Sequence, residues 1–459
     1  MATITIVGSG YVGLVYGAAF ADLGNDVYGL DIDERRIEQL NQGQTPIYEP
    51  RLDELIQRNL EAGRLRFTTR YDESIPDSQF VFICVGTPSC FDGHADMRAV
   101  HSAAASIGRH LSGYTIIINK STMPIGSGDF VSSIINQSKS ASVSFDVVSN
   151  PEFLREGSAI QDVFNPSRVV LGAENRHAAE EVADLYRSLN APILITDQRT
   201  AEMIKYASNA ILATRISFIN EIAQICEQLG ADVTVVAEGM GHDPRIGPQF
   251  LDAGIGFGGS CFPKDVKALA YMAAEVNCHP QLLHAVLEIN EDQRRRFVWR
   301  LQELIGDLYG KQIAVWGLAF KQDTDDIRES PALDVVRMLL QRGAHVRVFD
   351  PAAMSHAQDE IPEAVLGTDP YSTVKGADAL LVVTPWNEFK QVDLARVRDL
   401  MRVPLILDGR NIYEPEDVRS LGITYSGIGR QDYRARNNGP RSGAYVDSIT
   451  MTEMLNAGE

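Results

Sequence analysis

The sequence predicts an α/β protein built from two doubly wound parallel-sheet lobes joined by a central helical segment. Short β-branched runs alternate with helical patterns over the first third, the same alternation resumes at Gln312, and long helices fill the stretch between. With 459 residues, 44% hydrophobic and 22% charged, the chain is long enough for two or three domains with sizeable cores.

In the first lobe, residues 4–7, 26–30, 80–85, 115–119 and 146–149 have the pattern of strands in a parallel sheet. From about Thr200 the pattern becomes one long helix, with Ile204, Ala207, Ile211, Phe218 and Ile222 at helical spacing before Gly230 stops it. A second helical stretch is expected over 281–308. The glycine-rich segment 239–263 is too long for a simple connector in a compact domain, which points to a functional loop. Beyond it, a strand at 313–316, a helix over 331–342 and a strand at 345–349 ending at Asp350 echo the opening unit. Ligands are expected at the C-terminal edges of both sheets, with a cleft between the lobes. The boundaries are drawn at 1–199, 200–308 and 309–429. Residues 430–459 mix Asn-Asn-Gly-Pro, Arg and Ser with little periodicity; they are expected to be mobile and carry no assigned chemistry.

The net charge of -19 disfavours nucleic acid and anionic membrane surfaces, which want a basic footprint. The first residues run straight into a strand pattern with no export signature, and no apolar stretch approaches a membrane span. Five cysteines without CxxC spacing argue against a disulfide framework and a cysteine-rich zinc site. A reducing, cytoplasmic setting is expected, with no metal.

Gly8-Ser-Gly-Tyr-Val-Gly13 matches GxGxxG, a weak signal alone, but here it follows a strand, opens a helix and precedes a strand ending at Asp31. Gly8 permits the tight turn, Gly10 lets a pyrophosphate approach the backbone, and Gly13 lets helix and strand pack. Asp31 is then expected to accept from ribose hydroxyls, favouring NAD over NADP, although Arg35 and Arg36 keep the alternative open. The second lobe lacks this fingerprint: its first strand leads into Gly317-Leu-Ala-Phe-Lys321. Lys321 and Arg328 stand where such a lobe places its ligand loop and would supply positive charge for a nucleotide phosphate, unless they are an ordinary solvated pair.

Gly254-Ile-Gly-Phe-Gly-Gly-Ser-Cys-Phe-Pro-Lys-Asp265 puts Cys261 just before a proline suited to the first turn of a helix. There the helix dipole and Lys264 are expected to stabilise a thiolate, and the neighbouring glycines to let a ligand come close. Cys84 and Cys226 fit the core instead. Lys205 and Asn209 are four residues apart and share a helix face, where they would stabilise an oxyanion or simply pack. Glu152, after a strand in Asn150-Pro-Glu-Phe-Leu-Arg-Glu-Gly157, is a candidate general base or an ordinary surface acid. Thr122, in Lys120-Ser-Thr-Met-Pro124, would position water or substrate, or close an ST-turn.

These segments resemble the UDP-glucose/GDP-mannose dehydrogenase family over nearly the whole chain to about residue 429. Residues 8–13, 150–157, 201–210, 254–265 and 317–331 stand in family order, and the cysteine loop is a highly specific signature. The resemblance implies two Rossmann-like lobes joined by a helical dimer-forming segment. It implies an NAD site in the first lobe and a uridine diphosphate site in the second, with the sugar C6 between nicotinamide and Cys261. It further implies two successive oxidations: hydride loss from C6 assisted by a water on Lys205 and Asp265, then capture of the aldehyde by Cys261 as a thiohemiacetal. Lys205 and Asn209 would stabilise that oxyanion, and a second NAD would leave a thioester. Glu152 matches the base for its hydrolysis and Thr122 the water and cofactor network. Val12, Arg36, Thr87, Glu156, Lys264 and Arg328 match cofactor contacts. Phe153, Leu154, Arg155 and Glu156, the loop of Phe250, Leu251, Asp252, Ala253 and Gly254, and Gly258 and Lys321 match substrate contacts. Arg245 resembles the arginine that reaches a neighbouring subunit's substrate, so a homodimer at least is implied.

The motifs resemble the UDP-glucose branch more than those acting on GDP-mannose or a UDP-N-acetylhexosamine. A two-electron hydroxyacid-type dehydrogenase would have no need of Cys261. A nucleotide-sugar-binding or redox-sensing protein without turnover is opposed by the joint presence of Glu152, Lys205, Asn209, Cys261 and Asp265.

Overall fold

The computed structural model describes residues 1–430. The first sheet contains β1 (Thr3–Val7), β2 (Asp26–Leu30), β3 (Leu65–Thr68), β4 (Phe80–Ile83), β5 (Thr115–Asn119), β6 (Phe145–Ser149), β7 (Val169–Ala173) and β8 (Ile193–Thr196). Its order is β3-β2-β1-β4-β5-β6-β7-β8, so the chain reverses direction across the sheet between β1 and β4. The sequence explains why both faces are covered. Phe80, Phe82, Ile116 and Ile118 enter one core cluster, while the alternating Val81, Ile83 and Ile117 enter another on the opposite face.

One pairing departs from the expected all-parallel sheet: β7 runs antiparallel to β6. Strands β3, β7 and β8 add to those expected from sequence. β3 and β8, four residues each, offer too few alternations for a period of two to be recognised.

The second sheet contains β9 (Gln312–Trp316), β10 (His345–Phe349), β11 (Val365–Leu366), β12 (Ala379–Val382), β13 (Leu405–Asp408) and β14 (Thr424–Gly427). Its order, β11-β10-β9-β12-β13-β14, repeats the reversal of the first sheet, now between β9 and β12, and all its pairs are parallel. Two doubly wound lobes therefore present their strand C-termini as candidate ligand edges.

A helix from Gln198 to Leu229 joins them. Asp197 caps its start by accepting from the Thr200 backbone N–H at 2.9 Å, and Gly230 ends it at φ 76°. Its first turn lies against β7, where a Cβ on Gly172 would press on Ala201. Its last turns, through Ile219, Ala223 and Cys226, join the second-lobe core. A single helix thus belongs to both packing units. Ala207, Ile211 and Phe218, which mark the helical period in the sequence, face outward. The glycine-rich stretch begins inside a short helix, Val233–Gly241, and ends at the helix Phe262–Glu275; the helix Gln281–Ile305 follows.

Arg430, assigned to the tail from sequence, is instead clamped: its guanidinium meets Asp232 and Glu414, each at 3.2 Å, and the Tyr413 carbonyl at 3.1 Å. Residues 431–459, the rest of that segment, lie outside the described residues. No helix among the described residues is long and apolar enough to cross a membrane.

The two lobes depend on tight glycine turns. A Cβ on Gly13 would collide with the Gly8 carbonyl oxygen, which is backbone and has no room to move. Gly13→Ala is therefore expected to destabilise the protein by about 2 kcal/mol or more, from overpacking. Chemical denaturation checks this, and an unchanged midpoint would contradict it.

Candidate active site

At the switch point of the first sheet, Gly8 turns at φ 103° and Gly10 stands at the N-cap of the helix Tyr11–Asp22 with no side chain capping it. Nothing lies within 4 Å of a Cβ built on Gly10, whereas Gly13 is walled in. The protein's own packing gives no reason for glycine at position 10; close approach of a ligand does. Asp31 accepts from the Ser9 backbone N–H at 2.8 Å and pairs with Arg36 at 3.1 Å, so Arg36 is drawn to the carboxylate. The Ser9 hydroxyl is buried without a partner, and Val12 packs at the edge of the core. Uncapped helix N–H groups, an open glycine face and an unpartnered hydroxyl fit a dinucleotide. Nearby, Thr87 donates to the Thr122 carbonyl at 2.7 Å, joining the loops after β4 and β5.

The corresponding turn of the second lobe is filled by its own side chains. Asp350 accepts from the backbone N–H groups of Leu318 and Ala319 at 2.7 and 3.0 Å and from the Trp386 indole at 3.0 Å. Those donors are spent inside the fold, so this lobe has a different ligand surface. Lys321 is half-buried rather than solvated, and burial lowers its pKa, with Glu156 opposing the fall. Arg328 stays exposed, paired with Asp326 at 2.6 Å and Glu156 at 3.6 Å.

Between the lobes, Cys261 stands at the N-cap of the helix Phe262–Glu275, with Pro263 in its first turn. Buried charged and polar groups surround it. Lys205 pairs with Glu152 at 2.8 Å, and Glu152 also accepts from the Leu154 backbone N–H at 2.6 Å. Asn209 donates to one oxygen of Asp265 at 2.5 Å and Lys264 to the other at 2.6 Å. Burial alone would raise the Glu152 pKa, but the Lys205 ammonium, with the Leu154 backbone N–H and the Lys120 charge, more than offsets it and holds the carboxylate below its usual range.

Three expectations change here. The Cys261 thiol is not activated at rest: burial pushes it up to about 11, Glu152 and Asp265 add to the rise, and Lys205 only partly opposes it. Lys264 turns to Asp265 instead of the sulfur. The glycines of the cysteine loop serve packing: a Cβ on Gly258 would strike the Glu329 carbonyl oxygen, and one on Gly259 the Phe320 ring.

The loop before it supplies Phe250, held at φ 63° with its ring 6.1 Å from that of Phe262, and buried Leu251 and Ala253; Asp252 points to solvent. Gly254 donates to the Asn220 side chain at 2.8 Å. On the opposite wall, Phe153 lies under Lys205, 5.4 Å from its ring centre, Leu154 packs on the first-lobe core, and Arg155 pairs with Asp162 at 2.6 Å. Glu156 ties three parts together: it accepts from Ser260 at 3.0 Å in the cysteine loop and from Thr324 at 3.3 Å in the second lobe. Burial and Asp326 push its carboxyl up to about 7, against Arg328. Arg245 is not brought to this cluster. It is exposed, and its hydrogen bonds go to Asp243.

Sequence reasoning missed several supports. Glu49 receives the Tyr11 hydroxyl and the backbone N–H groups of Gly157 and Ala159 at 2.6 and 2.8 Å, clamping the glycine fingerprint to the Glu152 loop. Glu202, one turn before Lys205, accepts from Gly126 and Ser149. Arg410 and Arg294 hold the carbonyls of Gly256 and Phe257 at 3.0 and 2.9 Å. Only the spacing of Glu202 from Lys205 was visible in the sequence.

Two measurements follow from this geometry. Gly10→Ala should leave the denaturation midpoint nearly unchanged and weaken NAD binding by about tenfold or more, as titration calorimetry would show; equal binding would contradict the open cradle. Iodoacetamide labelling of Cys261 should be slow at pH 7 and rise about tenfold per pH unit through pH 10, because only the thiolate reacts. A plateau below pH 8 would contradict the raised thiol.

Comparison with known proteins agrees with the geometry. Family models for the UDP-glucose/GDP-mannose dehydrogenase family match at residues 2–190 (NAD binding domain), 199–292 (central domain) and 314–415 (UDP binding domain). The chain is 48% identical to UDP-glucose 6-dehydrogenase TuaD of Bacillus subtilis, over 95% of this chain and 94% of that protein. A UDP-glucose dehydrogenase structure from Pyrobaculum islandicum superposes with TM-score 0.88 at 39% identity, covering 94% of this chain and 98% of that one. A UDP-D-ManNAc dehydrogenase from Pyrococcus horikoshii superposes with TM-score 0.82 at 30% identity, covering 93% and 99%. A dinucleotide cradle, a second doubly wound lobe and a half-buried cysteine between them thus agree with three matching domain models, and the chain belongs to the UDP-glucose/GDP-mannose dehydrogenase family.

Proposed function

We propose that this protein oxidises UDP-glucose twice, from alcohol to carboxylate, giving UDP-glucuronate through a thioester on Cys261. The observation that carries the reading is the convergence of Cys261 with the Lys205–Glu152 pair and the Asn209–Asp265–Lys264 group in one buried cleft. NAD held at Gly8, Gly10, Gly13 and Asp31 would supply the hydride acceptor for each of the two oxidations. Lys205 and Asp265 hold the water that takes the alcohol proton, and Lys205 with Asn209 then faces the oxygen of the aldehyde. As the Cys261 sulfur adds to that aldehyde the C=O π bond breaks, and the thiol proton passes to the former carbonyl oxygen to give the thiohemiacetal hydroxyl, so sulfur loses its proton only as the C–S bond forms. Glu152, ionised at neutral pH, takes a proton from the water that cleaves the thioester.

The supporting walls follow the same assignment. Gly8, Gly10, Val12, Gly13, Asp31, Arg36, Thr87, Thr122, Glu156, Lys264 and Arg328 serve the cofactor. Phe153 to Glu156, Phe250 to Gly254, Gly258 and Lys321 serve the nucleotide sugar. The exposed apolar line Met203, Ile211, Phe218 and Ile225 along the central helix supports a homodimer, in which Arg245 serves a second copy's substrate. The cytoplasm, where nucleotide and cofactor are available, is the compartment proposed.

A second nucleotide sugar is the alternative reading, since a UDP-D-ManNAc dehydrogenase shares the fold. The 48% identity to TuaD, against 30% to that protein, favours glucose. The test is NADH formed per UDP-glucose consumed, with GDP-mannose and UDP-N-acetylglucosamine run alongside. Two NADH per sugar are expected. One would remove Cys261 from a second oxidation, and none with UDP-glucose would move the assignment to another sugar.

A further inference from the structure

A second buried lysine lies behind Glu152, and the reaction above leaves it without a task. Lys120 directly follows β5 and is 1% exposed. Its ammonium donates to the Asn150 side-chain oxygen at 3.0 Å and sits 4.0 Å from the centre of the Tyr16 ring and 5.8 Å from that of Tyr186. Tyr186 donates to the same Asn150 oxygen at 2.6 Å, while the Asn150 amide donates to the Val170 carbonyl at 2.9 Å. Asn150 is itself 1% exposed and is followed directly by Pro151 and Glu152.

An apolar side chain would fill this site without the desolvation penalty of an ammonium, so core packing alone does not account for the lysine. Two consequences of its position do. Fixing the Asn150 side chain, ahead of a proline of set φ, fixes the turn that carries the Glu152 carboxylate. The positive charge also acts on that carboxylate through a low-dielectric interior. The ionisable groups facing Lys120 are Glu152 and Cys84, Lys205 across the cleft, and the two tyrosines. Burial pulls Lys120 down to about 7 and Glu152 pulls it back up, so the lysine carries its charge on the acid side of neutrality. That is where a carboxylate base would otherwise take up a proton. During turnover Lys205 has to turn toward the sugar oxygen, whereas Lys120 is held between rings and remains.

We propose that Lys120 is a positioning residue for Glu152, fixing its turn through Asn150 and keeping its carboxylate ionised while the thioester is hydrolysed. The inference rests on the assignment of Glu152 as the base of that hydrolysis.

The test compares wild type, Lys120→Met, Lys120→Gln and Tyr186→Phe by the pH dependence of kcat with UDP-glucose and NAD, and by mass spectrometry of acid-quenched enzyme. Removing a cation raises the Glu152 pKa, so the acid limb of kcat should move up by about one pH unit in both Lys120 variants. Below the limb this is about a tenfold loss, with KM for the sugar changed less than about twofold, and the thioester-linked enzyme should accumulate at pH values below the shifted limb. Tyr186→Phe should lower kcat without moving the limb, because it loosens Asn150 and keeps the charge. The glutamine variant retains a donor toward Asn150 and covers the case in which the methionine variant does not fold. A limb that stays put in a folded Lys120 variant, with kcat lowered equally at every pH, would overturn the proposal. Wild-type enzyme yielding fewer than two NADH per UDP-glucose would overturn the underlying reading of Glu152, and this inference with it.

Discussion

The ion pair between Lys205 and Glu152, at 2.8 Å with side chains 4% and 6% exposed, is the constraint on which the rest of the site depends. Lys205 belongs to the central helix and Glu152 to the loop leaving β6, so the pair fixes the helix against the edge of the first sheet. Neither charge is tolerable there alone, because each has left water for a low-dielectric interior. Around this pair the other groups take their states: Glu152 stays ionised, the Cys261 thiol is held high partly by the same carboxylate, and that carboxylate pulls Lys120 back up against the fall that burial causes.

The cysteine reaches this pair through packing rather than through flexible approach. Its loop is pressed against Glu329 and Phe320 of the second lobe and carried by the guanidinium groups of Arg410 and Arg294. Glu156 closes the arrangement by bonding to Ser260 and Thr324 at once. A shift of the second lobe would therefore move the sulfur with it, and the chemistry of the cleft is coupled to how the lobes sit.

Much of this was legible in the sequence, for definable reasons. Central strands such as Phe80–Ile83 carry unbroken apolar runs, and Gly8, Gly10, Gly13 and Asp31 state a local geometry that needs no tertiary information. Cys261 at a helix start and Lys205 with Asn209 on one face were equally local. What stayed hidden was long-range. The antiparallel β7 depends on a crossover no local period records, and Glu49 acts on residues more than a hundred positions away. The state of Cys261 was misjudged because a helix start and Lys264 are visible in sequence, while Glu152, Asp265 and burial are supplied only by folding. The glycines beside it suggest ligand clearance from sequence, whereas in the fold Glu329 and Phe320 are their neighbours.

The measurement that bears most directly on this account is a double-mutant cycle of stability over Lys205→Met and Glu152→Gln. Each single change leaves a buried charge without its main partner and should destabilise the protein by about 3 kcal/mol. The double variant should recover much of that loss, giving a coupling of about 2 kcal/mol. Additive single effects, with coupling under about 0.5 kcal/mol, would contradict the claim that this pair holds the site together.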